Sequence, residues 1–150
     1  MPRQHGVTLL ELLVVLTIIG FVSTLVTLSL RDTSQQLVEQ EAQRLASQLE
    51  AARVQARSNG VPMVWRPTPD GFVFESPRGF QPLPSPQRWL AAQTQATIQA
   101  GSEPATQVVL GPEPLLVPVS ITLRTPANSG ALAPHARIAT DGLRPFQMEP

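Results

Sequence analysis

The feature that most constrains this chain is an apolar run from Val7 to Leu30 that contains a single charged residue, Glu11. Glu11 is also the only charged residue between Arg3 and Arg31. As a helix, the run is about 36 Å long, which is enough to cross a bilayer. A carboxylate within such a helix costs about 2.5–3.5 kcal/mol at mid-membrane, so its presence indicates a function. We therefore predict a transmembrane helix over residues 7–30, with Glu11 as a functional residue near its start.

The apolar run does not fit two common interpretations. A secretory signal has an apolar stretch of about 7–15 residues followed by a small-residue cleavage site. Here the run is longer, and Arg31-Asp32-Thr33 follows it without such a site. A plain membrane anchor explains the length of the run but leaves Glu11 unexplained.

A short leader ending in Gly6, the apolar helix, and a glutamate at the fifth position after the Gly6-Val7 junction together resemble the N-terminus of type IV pilin-like proteins. The resemblance implies that residues 1–6 are a leader, which a prepilin peptidase removes between Gly6 and Val7. It also implies methylation of the new amine on Val7, although members of this group commonly have Phe at that position. Glu11 is then a residue of subunit assembly.

A resemblance to a narrower group of these proteins is found in three later segments, which are residues 44–62, 110–114 and 138–146. They resemble the H-type minor pseudopilins of type II secretion, and the first also resembles FimT-type pilins. This implies a minor subunit near the tip of a pseudopilus, with other pseudopilins as partners. The alternative is a FimT-like minor type IV pilin involved in pilus assembly or DNA uptake.

The charges around the apolar run suggest a topology. Arg3 and the terminal amine precede the run, and the Arg31-Asp32 pair follows it. This favours a cytoplasmic N-terminus and a periplasmic domain over residues 31–150, anchored by a single pass through the inner membrane. After cleavage, Glu11 lies about 6 Å along the helix from its own amine, and a staggered neighbour can bring a second amine against it. The other interpretation is that Glu11 reaches the membrane interface or stays protonated.

The distribution of proline predicts the fold class. Of the 16 prolines, all but Pro2 lie at or beyond Pro62, so one helix can continue to about residue 59. Its second half has apolar residues at helical spacing, with charged residues mostly off that stripe, and Asn59-Gly60 is a stop signal. The stripe comprises Val38, Ala42, Leu45, Leu49, Ala52 and Ala56. We predict an α+β fold in which this helix packs on a small antiparallel β-sheet.

Short strands separated by turns follow Gly60. A hairpin is predicted for 63–66 and 72–75, and strands for 106–110, 120–124, 135–139 and 145–148. Residues 88–98 fit either a short helix or a strand. Residues 76–88 and 126–134 are predicted as loops.

Composition argues against several classes of site. The chain has 11 basic and 11 acidic residues and no basic cluster, so we expect no nucleic-acid partner. It has no Cys, and His5 is lost with the leader, so we expect no metal or other cofactor. Ser129, His135 and Asp141 show no nucleophile turn, so we expect no enzyme activity. Trp89, beside a proline-rich loop, is the aromatic residue that we expect to be exposed for a partner.

Overall fold

The computed structural model describes residues 9–77, 85–126 and 132–149, with the side chains of 24–32 left aside. The chain forms two compact units, residues 1–33 and residues 34–150. Helix α1 is followed by nine short strands within the described part of the chain. Their bounds are α1 Leu9–Asn59, β1 Met63–Thr68, β2 Gly71–Glu75, β3 Gln87–Arg88, β4 Gln95–Ala100, β5 Glu103–Ala105, β6 Val108–Leu110, β7 Val119–Arg124, β8 His135–Thr140 and β9 Gln147–Glu149. The predicted α+β fold is confirmed.

Helix α1 ends where the stop signal predicts. Asn59 is its last residue, and Gly60 has a φ of 62°, a left-handed conformation that glycine adopts without steric cost. The backbone N–H of Val61 then donates to the carbonyl oxygen of Ala56 at 3.2 Å. This bond is the outer one of a Schellman cap, which satisfies a carbonyl that the helix leaves unpaired.

The strands form two antiparallel sheets. The four-stranded sheet has the order β3-β2-β1-β6, and the five-stranded sheet has the order β5-β4-β7-β8-β9. The predicted hairpin is confirmed as β1 and β2, with Trp65 opposite Phe74. Gly71 begins β2 next to β3, and a Cβ there would lie 1.8 Å from the backbone oxygen of Gln87. The close approach of β3 therefore requires glycine at this position.

Most of the other predicted strands are also present, with shifted ends. Residues 88–98, for which periodicity left two options, contain the end of β3, a bend, and the start of β4. Strand β5 was not predicted, and it pairs with β4 across the Gly101 turn. Two of the predicted loops extend over 78–84 and 127–131, which lie outside the described residues.

The core of residues 34–150 forms between the second half of α1 and both sheets. All six residues of the predicted stripe are buried, which confirms the assigned helix face. The sheets contribute buried apolar side chains from alternating strand positions, as strands packed on one face do. The largest of these are Met63, Trp65, Phe72, Phe74, Ile98, Leu110, Ile121, Leu123 and Ile138.

Two charged residues on α1 are buried, although the sequence pattern assigned them to the exposed side. The side chain of Glu41 is 1% exposed. One of its oxygens accepts from the Arg44 guanidinium at 2.8 Å, and the other accepts from the backbone N–H of Leu90 at 2.6 Å. Arg44 in turn donates to the carbonyl oxygen of Arg88 at 2.8 Å. The pair thus fixes the segment after β3 to the helix.

Arg53 is the second buried charge, with 2% of its side chain exposed. Its guanidinium donates to three backbone carbonyl oxygens, those of Gly142 at 2.6 Å, Pro114 at 3.2 Å and Arg144 at 3.2 Å. It also lies 3.4 Å from a carboxylate oxygen of Glu50. A buried charge needs such partners because its desolvation is otherwise costly. Arg53 therefore anchors the loop before β7 and the loop before β9 to α1.

We predict that Leu45→Ala lowers the free energy of unfolding by about 2–5 kcal/mol, because it leaves a cavity in the buried stripe. The measurement is urea unfolding of the full chain in mild detergent. Gln43→Ala, at an exposed position one half-turn away, is the control and should have little effect. A loss for Leu45→Ala no larger than that of the control would show that the stripe is not buried.

We further predict that Arg53→Met lowers the free energy of unfolding by at least about 2 kcal/mol, because several buried carbonyl oxygens lose a charged donor. Arg57→Met is the matched control, since Arg57 is exposed and, among the described residues, donates only to the carbonyl oxygen of Pro114, at 3.0 Å. The control should lose less than about 1 kcal/mol in the same unfolding measurement. Equal losses for the two variants would contradict the anchoring role of Arg53.

Candidate assembly segment

The first part of α1 presents an apolar surface on all sides. Every residue from Leu9 to Ser23 is exposed within the described chain. The large apolar side chains range from 44% exposed at Val14 to 83% at Leu9. Each such side chain gains about 1.5–3 kcal/mol when it leaves water, so this surface favours lipid or other apolar helices as its surroundings.

The hydroxyl groups in this segment do not make it polar. Thr17 donates its hydroxyl to the carbonyl oxygen of Leu13 at 2.7 Å, and Ser23 donates to that of Ile19 at 2.8 Å. Both bonds run back along the same helix by four residues, as Ser and Thr commonly do in helices. The donors are thereby satisfied inside the helix, and the surface around them remains suitable for an apolar environment.

Glu11 lies in the first turn of α1 and is exposed. Glu11 is the only acidic residue of that turn. An exposed carboxylate on an otherwise apolar helix can pair with a positively charged group of a neighbouring molecule. The attraction between the two charges is strong in a medium of low dielectric constant.

The predicted cleavage site lies outside the described residues, because these begin at Leu9 and the site is the Gly6-Val7 bond. No helix meets the length and hydropathy expected of a membrane span in the part of the chain that the structure describes.

Trp89 is not exposed, so this prediction is wrong. Its side chain is 7% exposed and packs against Phe72, with ring centroids 5.0 Å apart. The indole N–H donates to the carbonyl oxygen of Thr68 at 3.4 Å, and the backbone N–H donates to that of Asp70. The proline-rich flank of Trp89 indicated an exposed loop, but the indole ring packs against an aromatic side chain of the four-stranded sheet.

The residues considered for a catalytic triad have structural roles where they are described. Asp141 accepts from the backbone N–H groups of Leu143 and Arg144, at 2.9 and 2.7 Å. These donors, that of Arg144 first, hold the pKa of the Asp141 carboxyl below its usual range. The backbone of His135 pairs with Gln35 on α1, whereas Ser129 lies outside the described residues.

The anchoring roles of Glu41 and Arg53 were not predicted from the helical pattern. In the sequence, each of them has an opposite charge three residues away, at Arg44 and Glu50, which is the spacing of an ion pair on a helix. Such spacing is usually found on a solvated helix face, where it contributes only a few tenths of a kcal/mol.

Comparison with known proteins gives one match. Residues 1–27 match the family model for the prokaryotic N-terminal methylation motif. No curated protein and no solved structure matches the chain. The motif implies processing by a prepilin peptidase and assembly with other pilin-like subunits. Together with the α+β fold, it indicates a type IV pilin-like protein, a structural subunit of a pilus or pseudopilus.

Proposed function

We propose that this chain is a minor pseudopilin of the H type, at the tip of the pseudopilus of a type II secretion system. The observation that carries the proposal is the prepilin-like motif over residues 1–27, joined in one chain to an α+β domain. In this proposal residues 7–30 anchor the chain in the inner membrane, with the N-terminus in the cytoplasm and residues 31–150 in the periplasm.

The three segments that resemble H-type pseudopilins meet at one place in the fold. Arg53, in the first segment, donates to carbonyl oxygens in the second at Pro114 and in the third at Gly142. Glu50, also in the first, accepts from the backbone N–H of Phe146 in the third at 3.0 Å. Segments far apart in sequence therefore belong to one structural unit, which supports a common origin for their resemblance.

The distribution of charges supports a protein partner over a nucleic acid. In the described part of the chain, five arginines each lie within 4.0 Å of a carboxylate, and no basic cluster is formed. Nucleic-acid binding draws its affinity from unneutralised positive charge against phosphates. This distribution disfavours the alternative of a FimT-like pilin that binds DNA.

Glu11 has a specific part in the proposed assembly. Cleavage between Gly6 and Val7 leaves a positive amine at a helix N-terminus. The carboxylate of Glu11 on one subunit pairs with the amine of Val7 on its neighbour, inside a medium from which water is excluded. Since an unpaired charge is strongly disfavoured there, the pairing fixes the axial register of adjacent helices.

We predict that the mature protein begins at Val7 and carries a methyl group on its amine. Intact-mass analysis of the protein purified from its native membrane tests both points. Gly6→Leu is the control, because a side chain at the cut position obstructs access to the backbone, and this variant should keep its leader. A native N-terminus at Met1, or one after Leu30, would contradict the proposal.

We also predict that Glu11→Ala lowers incorporation into the pseudopilus without changing the stability of the folded domain. A neighbour's amine would be buried without its partner, at a cost of about 3–5 kcal/mol. Crosslinking to the other pseudopilins measures incorporation, and thermal unfolding measures stability. Leu12→Ala, which removes an exposed apolar side chain from the adjacent position, is the matched control. Equal crosslinking yields for Glu11→Ala and the wild type would show that Glu11 has no role in assembly.

A further inference from the structure

Strand β9 is an exposed edge of the five-stranded sheet, on the side opposite to the other edge strand, β5. Gln147, Met148 and Glu149 pair with β8 on one side only, and no other strand among the described residues lies along their outer edge. Met148 stands opposite Ile138, which is fully buried, yet Met148 is itself 39% exposed. The core thus covers the inner face of the sheet at β8 and leaves it open at β9. A sheet edge of this kind offers backbone donors and acceptors to another extended chain.

A cleft of about 480 Å³ lies beside this edge, on the outer face of the same sheet. The pairing register aligns Gln99, Ser120, Ala139 and Gln147 across four strands, and all four residues line the cleft. Gln147 is the member of this row on the edge strand, and an added strand would place alternate residues on the same face beside it.

The loop that leads into β9 is held in one conformation. Gly142 has a φ of 91°, and a Cβ there would lie 2.0 Å from the carbonyl oxygen of Leu116, so only glycine fits. The carbonyl of Gly142 accepts from Arg53, and Asp141 closes the turn through two backbone N–H groups. Glu50 accepts from the N–H of Phe146, directly before β9. A preorganised edge loses little conformational entropy when a partner binds.

The charges at the edge are balanced. Arg137 pairs with Glu149 at 3.1 Å, and Arg144 pairs with Asp141 at 3.6 Å. All four side chains are at least half exposed, so each pair is weak and can exchange partners. A polyanion gains nothing from a surface of zero net charge. The same balanced charges are compatible with an extended polypeptide, whose main contacts with a sheet edge are backbone hydrogen bonds.

We propose that the β9 edge and its cleft bind an extended segment of a neighbouring pilin-like subunit by strand addition. The identity of this partner rests on the proposed function, because that function places other pilin-like subunits beside the domain. The contact is separate from the helix contact made through residues 9–23.

Site-specific photocrosslinking in the native host tests this proposal. A benzoylphenylalanine is placed at Gln147, and in a separate strain at Gln95, an exposed glutamine on β4 of the same sheet. A third strain carries it at Leu13 in the exposed apolar segment. The crosslinked proteins are identified by mass spectrometry. We expect position 147 to capture another protein with a prepilin-like leader and position 95 to capture far less of it.

A second substitution separates strand addition from simple proximity. Met148→Lys places a charge on the inner face of the edge strand, which is a device that natural sheets use to block pairing. It should lower the crosslinking yield from position 147 by at least about fivefold, whereas Met148→Leu should leave the yield unchanged. Thermal unfolding of both variants checks that the fold is intact.

Three outcomes overturn the inference. They are a yield at 147 no higher than at 95, a yield that Met148→Lys does not lower, and capture at 147 of only a second copy of this chain or a protein without a prepilin-like leader. Crosslinks at Leu13 without crosslinks at 147 would contradict strand addition at β9 but would agree with the proposed function. Failure at both positions overturns the proposed function together with the inference.

Discussion

The burial of one face of α1 is the constraint on which the rest of the domain depends. The nine strands found in the described residues are two to six residues long, which is too short for an independent core, and they enclose the stripe from Val38 to Ala56 instead. The helix provides the continuous apolar surface, and both sheets pack against it.

Buried charges determine how the irregular segments attach to this core. Glu41 holds the backbone after β3, and Arg53 holds the loops before β7 and β9. These bonds are directed at backbone atoms, so they specify where a loop lies without depending on the side chains that the loop carries. The exposed residues of the loops can therefore vary for partner recognition while the frame stays fixed.

Local signals in the sequence were sufficient for much of the fold. The absence of proline predicted the extent of the helix, Asn59-Gly60 predicted its end, and the strand segments 63–66 and 72–75 predicted the first hairpin. The position of Glu11 near the start of an exposed apolar helix was likewise predictable, since it depends on sequence spacing alone.

The remainder depends on contacts that no local pattern encodes. The partners of Arg53 are carbonyl oxygens between 61 and 91 residues away, so its helix position alone indicated a solvated side chain. Trp89 was assigned to the surface because of its proline-rich flank, whereas its burial depends on contact with Phe72 in β2. Strand β5 escaped prediction because Pro104 lies at its centre, and proline is tolerated there only because β5 is an edge strand.

The central claim is that this chain is an assembled pilin-like subunit, and analysis of filaments sheared from the cell surface tests it most directly. Quantitative mass spectrometry then measures which pilin-like subunits these filaments contain. The account predicts that the filaments contain this chain in small amount, as a form without its leader, and that Glu11→Ala depletes it from them. Filaments that lack the wild-type chain, while the cell membrane retains it in full, would contradict the account.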